Sequence, residues 1–245
     1  MKPAPPMTTQ FIGREASCSR ARLPPSCDSG GVPALAVTID TEFPDHPAKD
    51  PLGTLDRLLD LLERRNLRVT FFILGAWARA YPDRVSAIRE AGHHIGNHSF
   101  SHCALTRMTE TGIIEDLVAC HDVLTGLGIE SRPWFRAPYG ELTHPQLDVE
   151  LAIGRAGYRH VHWHADGKDW APGASADSVA AALVADVRAC WPRPAIVLLH
   201  SWPDAAPAAL ERVMDALEPD NVSYLTVEEV DSHVPSAGAI GDLTN

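Results

Sequence analysis

The sequence predicts an α/β protein in which one domain forms a distorted (β/α) barrel of about seven strands. Short apolar runs alternate with longer amphipathic segments from Ala34 onward, a pattern typical of strands that are buried on both faces and joined by crossover helices. Polar side chains follow several of these runs, as expected at the mouth of a barrel. An open doubly wound sheet is the alternative, with its ligand crevice at the same strand ends.

The individual elements follow from local composition and spacing. Runs rich in β-branched and aromatic residues predict strands at residues 35–39, 69–74, 94–97, 134–136, 158–163, 195–199 and 222–225. Apolar residues at helical spacing predict two helices that pack outside the sheet, marked by Leu55, Leu58, Leu59 and Leu62 and by Val179, Leu183 and Val187.

The chain divides into a main domain and two terminal segments. Residues 1–31 mix Pro, Ser, Arg and Gly and lack the apolar run of about 7 to 15 residues that a signal peptide needs, so we expect a disordered leader, with Met7 as an alternative start. The main domain is expected at 32–232 and a flexible tail at 233–245. Because no stretch approaches the roughly 18 apolar residues of a spanning helix, we expect a cytoplasmic protein without a membrane partner.

Charge and cysteine content narrow the class of protein further. The formal net charge of −11 argues against nucleic acid and anionic membranes as partners, since phosphate binding needs clustered Lys and Arg. The 5 cysteines are irregularly spaced and include no CxxC pair, which indicates a reducing compartment rather than a disulfide scaffold or a thiolate zinc site. The sequence carries no signal for an oligomeric state.

Two histidines follow the predicted strand at 94–97. The segment HSFSH places His98 and His102 one turn apart if a helix begins there, and such a pair can bind one metal ion. A catalytic zinc site uses three protein ligands and keeps one position for water, so a carboxylate is also needed, with Glu42 as the candidate. The alternative is a chance spacing of two histidines on a polar helix.

Two acidic residues end the first predicted strand. Alternation along a strand directs Asp40 and Glu42 to the same side and Thr41 to the opposite side. One carboxylate can bind a metal while the other accepts a proton from the attacking water, which keeps both ionised without a like-charge penalty. The alternative is a helix-capping cluster with Asp45.

The segment FRAPYG at 135–140 puts a permanently charged guanidinium at a strand end, before a turn that contains proline. Arg136 can orient the carboxylate of Asp40 or form an ordinary structural ion pair, and the segment alone permits both. The backbone amides of the turn can stabilise an oxyanion.

The segment DGKDW at 166–170 and the strand end at His200 supply an acid and an imidazole. A carboxylate bonded to one ring nitrogen fixes the tautomer and raises the basicity of the imidazole, which prepares His200 to protonate a leaving amine; a structural histidine is the alternative. His160, His162 and His164 share one face of the fifth predicted strand, but no carboxylate or cysteine aligns with them to complete a second metal site.

In this order the segments resemble the motifs of the polysaccharide deacetylase family, also called carbohydrate esterase family four, over roughly residues 34–230. The second family motif, His-Ser/Thr-x-x-His, corresponds to 98–102, and the third, Arg-x-Pro-Tyr, to 136–139. The fourth, Asp-x-x-Asp-Trp, corresponds to 166–170, and the fifth, Leu-x-His, to 198–200.

The resemblance implies a barrel of about seven strands with a divalent metal on His98 and His102. It also implies a role for each further motif residue: Asp40 as the base, Arg136 as the group that holds it, His200 as the acid paired with Asp169, the Tyr139 amide facing the oxyanion, and Trp170 and Leu198 lining the acyl pocket.

The chain departs from the family at the first motif. That motif commonly has adjacent aspartates, the second of which binds the metal, whereas here Thr41 follows Asp40. Because a neutral hydroxyl is a poor ligand beside two imidazoles, Glu42 is expected to bind in its place. A similar branch of the family, with Asp-x-Asp or Asp-x-Glu, includes enzymes that act on amides and cyclic imides as well as on sugars.

We therefore expect a metal-dependent hydrolase that removes an acetyl or similar acyl group from the nitrogen of an N-acetylated sugar or related small molecule. The expected metal is zinc, with cobalt or nickel as alternatives, and the expected substrate is a small molecule or an oligosaccharide. Two other functions remain open, hydrolysis of another linear amide or cyclic imide and a catalytically silent carbohydrate- or metal-binding module. The presence of Asp40 and His200 argues against the silent module.

Overall fold

A computed structural model describes residues 33–44 and 49–233. The predicted leader at 1–31, the residues of the predicted tail after 233, and Asp45 lie outside the described residues. The strands are β1 (Ala34–Thr41), β2 (Thr70–Ile73), β3 (His94–Asn97), β4 (Trp134–Phe135), β5 (Arg159–His160), β6 (Ala165–Asp166), β7 (Ala195–His200) and β8 (Ser223–Leu225). The helices are α1 (Pro51–Arg64), α2 (Gly75–Ala80), α3 (Pro82–Glu90), α4 (Glu110–Gly126), α5 (Val149–Arg155), α6 (Ala176–Cys190), α7 (Ala206–Leu217) and α8 (Val227–His233).

The strands form one parallel sheet in the order β5-β4-β3-β2-β1-β7-β6, and β8 pairs with β1 beside this path. The distorted (β/α) barrel of about seven strands is therefore confirmed. Two details differ from the expected elements. Strand β5 is shorter than the predicted strand at 158–163, and the two-residue strand β6 is not predicted, because the chain crosses from one end of the sheet to the other between them.

Strand β1 pairs with β2, β7 and β8, and its alternation shows which side chains face the barrel interior. Leu35, Val37 and Ile39 belong to the large core between the sheet and the surrounding helices, whereas Ala36 belongs to the small core inside the barrel. The small core also contains, from neighbouring strands and the segments that follow them, Phe72, Trp134, Val161 and Ile196. Because alternation continues along β1, Asp40 faces the interior at the C-terminal end of the strand.

The N-terminal end of the barrel is closed by α8. Val227 and Val230 pack into the interior core, and the Val227 amide donates a hydrogen bond of 3.2 Å to the hydroxyl of Thr70 at the start of β2. Ligands can therefore reach the interior from the opposite end, where the strands end in polar residues.

The predicted helices form where expected, and their buried faces follow the predicted spacing. In α1, Asp50 caps the N-terminus by accepting a hydrogen bond from the Gly53 amide at 2.9 Å, and Pro51 occupies the first helical position. The buried residues include Leu55, Leu58 and Leu62 of α1 and Val179, Leu183 and Val187 of α6. Within the described residues, no helix is both long and apolar enough to span a bilayer.

A close contact between α2 and α4 requires glycine at position 75. A Cβ atom there would lie 2.7 Å from the Phe100 ring and 2.9 Å from the Cα of Cys120 in α4. The Gly75 amide also donates a hydrogen bond of 2.9 Å to the Ser99 carbonyl. Helix α2 thus lies close enough to α4 to hold the segment that follows β3, where the two predicted metal ligands lie.

Candidate active site

The carboxylates at the end of β1 face the barrel mouth on the same side, as alternation predicts. Asp40 and Glu42 are both buried, and each has an oxygen 3.6 Å from Nε2 of His98. Thr41 is also buried, and its hydroxyl makes no hydrogen bond. The Thr41 side chain therefore makes no hydrogen bond with the imidazoles, whereas Glu42 points toward them.

His98 and His102 come together through a loop. The helix that the sequence suggested for residues 98–102 does not form in this described segment. Ser99 and His102 have left-handed backbone conformations, with φ of 67° and 57°, which ends the regular path of β3. Side chains fix the loop: Asn97 accepts from the Ser99 amide at 2.7 Å, and Asp116 of α4 accepts from the Phe100 amide at 2.8 Å.

Glu42, His98 and His102 form the one group of three potential metal ligands among residues 33–44 and 49–233, with ligand atoms within 4.8 Å of one another. Glu42 Oε2 lies 2.5 Å from Nε2 of His102, yet it is buried and makes no hydrogen bond of regular geometry. A buried carboxylate oxygen that faces two imidazole nitrogens fits a divalent cation, and one carboxylate with two histidines is a donor set that catalytic zinc uses.

The surroundings keep Glu42 ionised. Burial raises the pKa of this carboxyl. Hydrogen bonds with the imidazoles of His102 and His98 and the charge of His200 lower the pKa by more than burial raises it. The net pKa lies well below the ordinary value, so the carboxylate is available as an anionic ligand at neutral pH. His98 donates through Nδ1 to the Arg136 carbonyl at 3.0 Å, which leaves Nε2 directed at Glu42 and Asp40.

Arg136 is fully buried and binds side chains on the face of β1 that points into the barrel. Its Nη1 donates to Oδ1 of Asp40 at 2.8 Å and to the hydroxyl of Thr38 at 2.7 Å, and its Nε donates to the Val161 carbonyl at 3.1 Å. The guanidinium also lies over the Phe72 ring at 4.3 Å. The Arg136–Asp40 contact is present, as both interpretations of Arg136 require.

Thr38 is a site residue that the motifs do not mark. Its hydroxyl donates to the Val197 carbonyl of β7 at 2.5 Å and accepts from Arg136. Strand alternation could have identified it, because Thr38 precedes Asp40 by two residues and so faces the same side of β1. Asp116 carries no such signal, since it lies on a helix whose contact with the loop depends on packing.

On β7, the strand next to β1, His200 forms a close pair with Asp169. Asp169 accepts from Nδ1 of His200 and from the His200 backbone amide, both at 2.8 Å, whereas Asp166 accepts from the Lys168 amide instead. Burial lowers the pKa of His200, but Asp169 and the carboxylates of the site raise it, to about 10. Nε2 of the same ring lies 3.8 Å from Glu42 Oε1.

The predicted substrate-binding residues have the following positions. Tyr139 has a left-handed φ of 61° in the turn after β4 and is half exposed. Leu198 is buried on the strand that pairs with β1, in register with Thr38, and Trp170 directly follows Asp169.

The three histidines of the predicted fifth strand do not form a second metal site within the residues described. The rings of His160 and His162 are 5.8 Å apart, and His164 accepts a hydrogen bond from the Ile196 amide at 3.0 Å. Burial lowers the pKa of His160 to about 3, so this ring is neutral.

Comparison with known proteins gives a consistent result. Residues 33–161 match the family described as Polysaccharide deacetylase. A peptidoglycan-N-acetylglucosamine deacetylase of Bacillus cereus is 29% identical over 197 residues, which is 79% of this chain and 66% of that protein. A chitooligosaccharide deacetylase of Bradyrhizobium is 30% identical over 187 residues, 76% of this chain and 77% of that protein. A family 4 carbohydrate esterase from Streptomyces lividans, solved with acetate, superposes with a TM-score of 0.65 at 26% identity, covering 78% of this chain and 91% of the other.

The geometry predicts that Glu42 is a metal ligand and Thr41 is not. Glu42→Gln should weaken zinc affinity by about 10-fold or more, on the order of 1.4 kcal/mol, because it removes the anionic donor. Thr41→Val is the matched control, since valine has the shape of threonine and the buried hydroxyl makes no hydrogen bond. Zinc titration of the two metal-free variants measures both effects. A large loss in Thr41→Val with none in Glu42→Gln would contradict the assignment.

Proposed function

The chain belongs to the polysaccharide deacetylase family, and on that premise we propose that it is a metal-dependent hydrolase that removes the acetyl group from the nitrogen of an N-acetylated sugar. The observation that carries this proposal is the arrangement at the barrel mouth. A potential metal site of Glu42, His98 and His102 lies between a buried carboxylate held by arginine and an imidazole held by a second carboxylate. These are the groups that hydrolysis of an amide requires.

Glu42, His98 and His102 would hold the divalent ion. When bound, such an ion supplies a Lewis acid that withdraws electron density from the acetyl carbonyl and promotes the ionisation of water. We propose zinc as the physiological metal because its catalytic sites use two histidines and a carboxylate in this way; cobalt and nickel are alternatives with suitable ligand preferences.

Asp40 is proposed as the general base. Arg136 occupies Oδ1, whereas Oδ2 lies 3.6 Å from Nε2 of His98 and faces the same space as the proposed ligands. The free oxygen can therefore accept the proton of the attacking water while Arg136 keeps the carboxylate in place.

His200 is proposed as the general acid. Its Nδ1 is bonded to Asp169, so a proton on Nε2 faces the same space as the proposed ligand Glu42. As the carbon–nitrogen bond breaks, this proton passes to the leaving nitrogen, and acetate and a free amine are the products. The Tyr139 amide is proposed to bind the oxyanion, and Trp170 and Leu198 are proposed to contact the acetyl methyl group.

Activity on N-acetylated sugars is the direct test of this function. The metal-loaded enzyme should release acetate and the free amine from N-acetylglucosamine oligomers, a chelator should abolish the activity, and zinc or cobalt should restore it. Mass detection of the amine over a panel that also includes linear amides and cyclic imides measures substrate class. Activity on imides alone, or undiminished activity in the metal-free protein, would contradict the proposal.

Base and ligand roles should separate in two variants. Asp40→Asn should retain the metal and lose most turnover, because an amide cannot accept the proton. His98→Ala should lose both the metal and activity, because it removes a ligand. Metal content measured beside kinetics distinguishes the two, and loss of metal in Asp40→Asn would show that Asp40 is itself needed to hold the ion.

We further propose that the enzyme acts in the cytoplasm on a small sugar substrate, and not on nucleic acid or anionic membranes. The described cysteines, Cys103, Cys120 and Cys190, are free thiols, and Cys103 is exposed, which fits a reducing compartment. The net charge of −11 disfavours polyanionic partners. Cell fractionation should find the chain in the soluble cytoplasmic fraction; full-length chain found mainly outside the cell would contradict this location.

A further inference from the structure

The two histidines of the proposed metal centre are held differently. His98 is buried and donates through Nδ1 to a backbone carbonyl, that of Arg136. The side chain of His102 is 16% exposed, and its Nδ1 lies 3.2 Å from the hydroxyl of Tyr139. The two rings meet edge to face, with centroids 4.8 Å apart and an interplanar angle of 65°. His102 is therefore held by a side chain, whereas His98 is held by the backbone.

The chemistry of a metal-binding imidazole determines the direction of this hydrogen bond. Nε2 of His102 faces Glu42, so Nε2 must be unprotonated to bind a metal and Nδ1 must carry the proton. The Nδ1–H group then donates to the phenol oxygen of Tyr139. Such a hydrogen bond fixes both the tautomer and the orientation of a ligating histidine.

The backbone around Tyr139 fixes the direction in which its side chain leaves the turn. Tyr139 adopts a left-handed φ of 61° between Pro138 and Gly140, a conformation that costs a non-glycine residue about 1 to 2 kcal/mol. A Cβ atom on Gly140 would lie 2.6 Å from the Trp163 ring, so the turn is packed closely against the segment after β5. The phenol ring thus leaves a constrained turn in a set direction.

We propose that Tyr139 is a positioning residue for the metal ligand His102, acting through its side-chain hydroxyl. This role is separate from that of its amide, and it rests on the proposed metal centre. One residue would then tie the turn that carries the oxyanion amide to the metal site, so that the two parts of the site keep a fixed separation.

Tyr139→Phe tests the proposal because it removes the hydroxyl and keeps the ring. Zinc affinity of the metal-free protein, measured by competition with a chromophoric chelator, should fall by about 10-fold. The visible absorption spectrum of the cobalt-loaded variant should differ from that of the parent protein, because His102 is no longer held in one orientation. Tyr81→Phe removes a tyrosine hydroxyl outside the site and should change neither readout.

The outcomes separate this inference from the proposed function. Tyr139→Phe with parental zinc affinity and an unchanged cobalt spectrum would overturn the positioning role while leaving the metal centre intact. Failure of the parent protein itself to bind zinc or cobalt would overturn both. A parental thermal unfolding midpoint of Tyr139→Phe, together with weaker zinc binding, would support a local effect on His102; an equal loss of zinc affinity in Tyr81→Phe would contradict it.

Discussion

The buried ion pair between Arg136 and Asp40 is the constraint on which the site depends. A guanidinium with no solvent exposure is stable only when its charge and its donors are satisfied, and here a carboxylate, a hydroxyl and a carbonyl satisfy them. Removal of either charge from such a pair typically costs about 3 to 5 kcal/mol, because the other charge is left buried and unpaired. The pair also joins the segment after β4 to β1 across the barrel interior. One contact therefore balances the buried charge of Arg136 and fixes the position of Asp40, the proposed base.

The remaining chemistry follows from the way parallel strands end at one edge. The register pairs Asp40 with His200 on β7. Alternation brings Glu42, two residues after Asp40, to the same side. The proposed base, ligand and acid therefore converge without any bend in β1. Two ion pairs then lie within one small volume, Arg136 with Asp40 and His200 with Asp169.

The sequence predicts those parts of the structure that are governed by local periodicity. Alternation along β1 identifies the side on which Asp40 and Glu42 lie, and the motifs identify His98 and Arg136, because each occurs at the end of an apolar strand. The path from His98 to His102 was not predictable, since it depends on left-handed residues held by side chains of Asn97 and Asp116. Strand β6 escapes prediction because two residues carry no periodicity, and its pairing is determined by β7.

The two ends of the sheet have a consequence for the behaviour of the protein at high concentration. Strands β5 and β6 form the edges of the main path, and each is two residues long. Residues 161–164 join them directly, and the His164 amide already donates to the Ile196 carbonyl of β7. An edge of this length presents too few unpaired backbone groups to template pairing with a second molecule. The hydrogen bonds of the sheet do not join β5 to β6 into a closed ring. The shortness of these two edge strands thus protects the sheet from edge-to-edge aggregation.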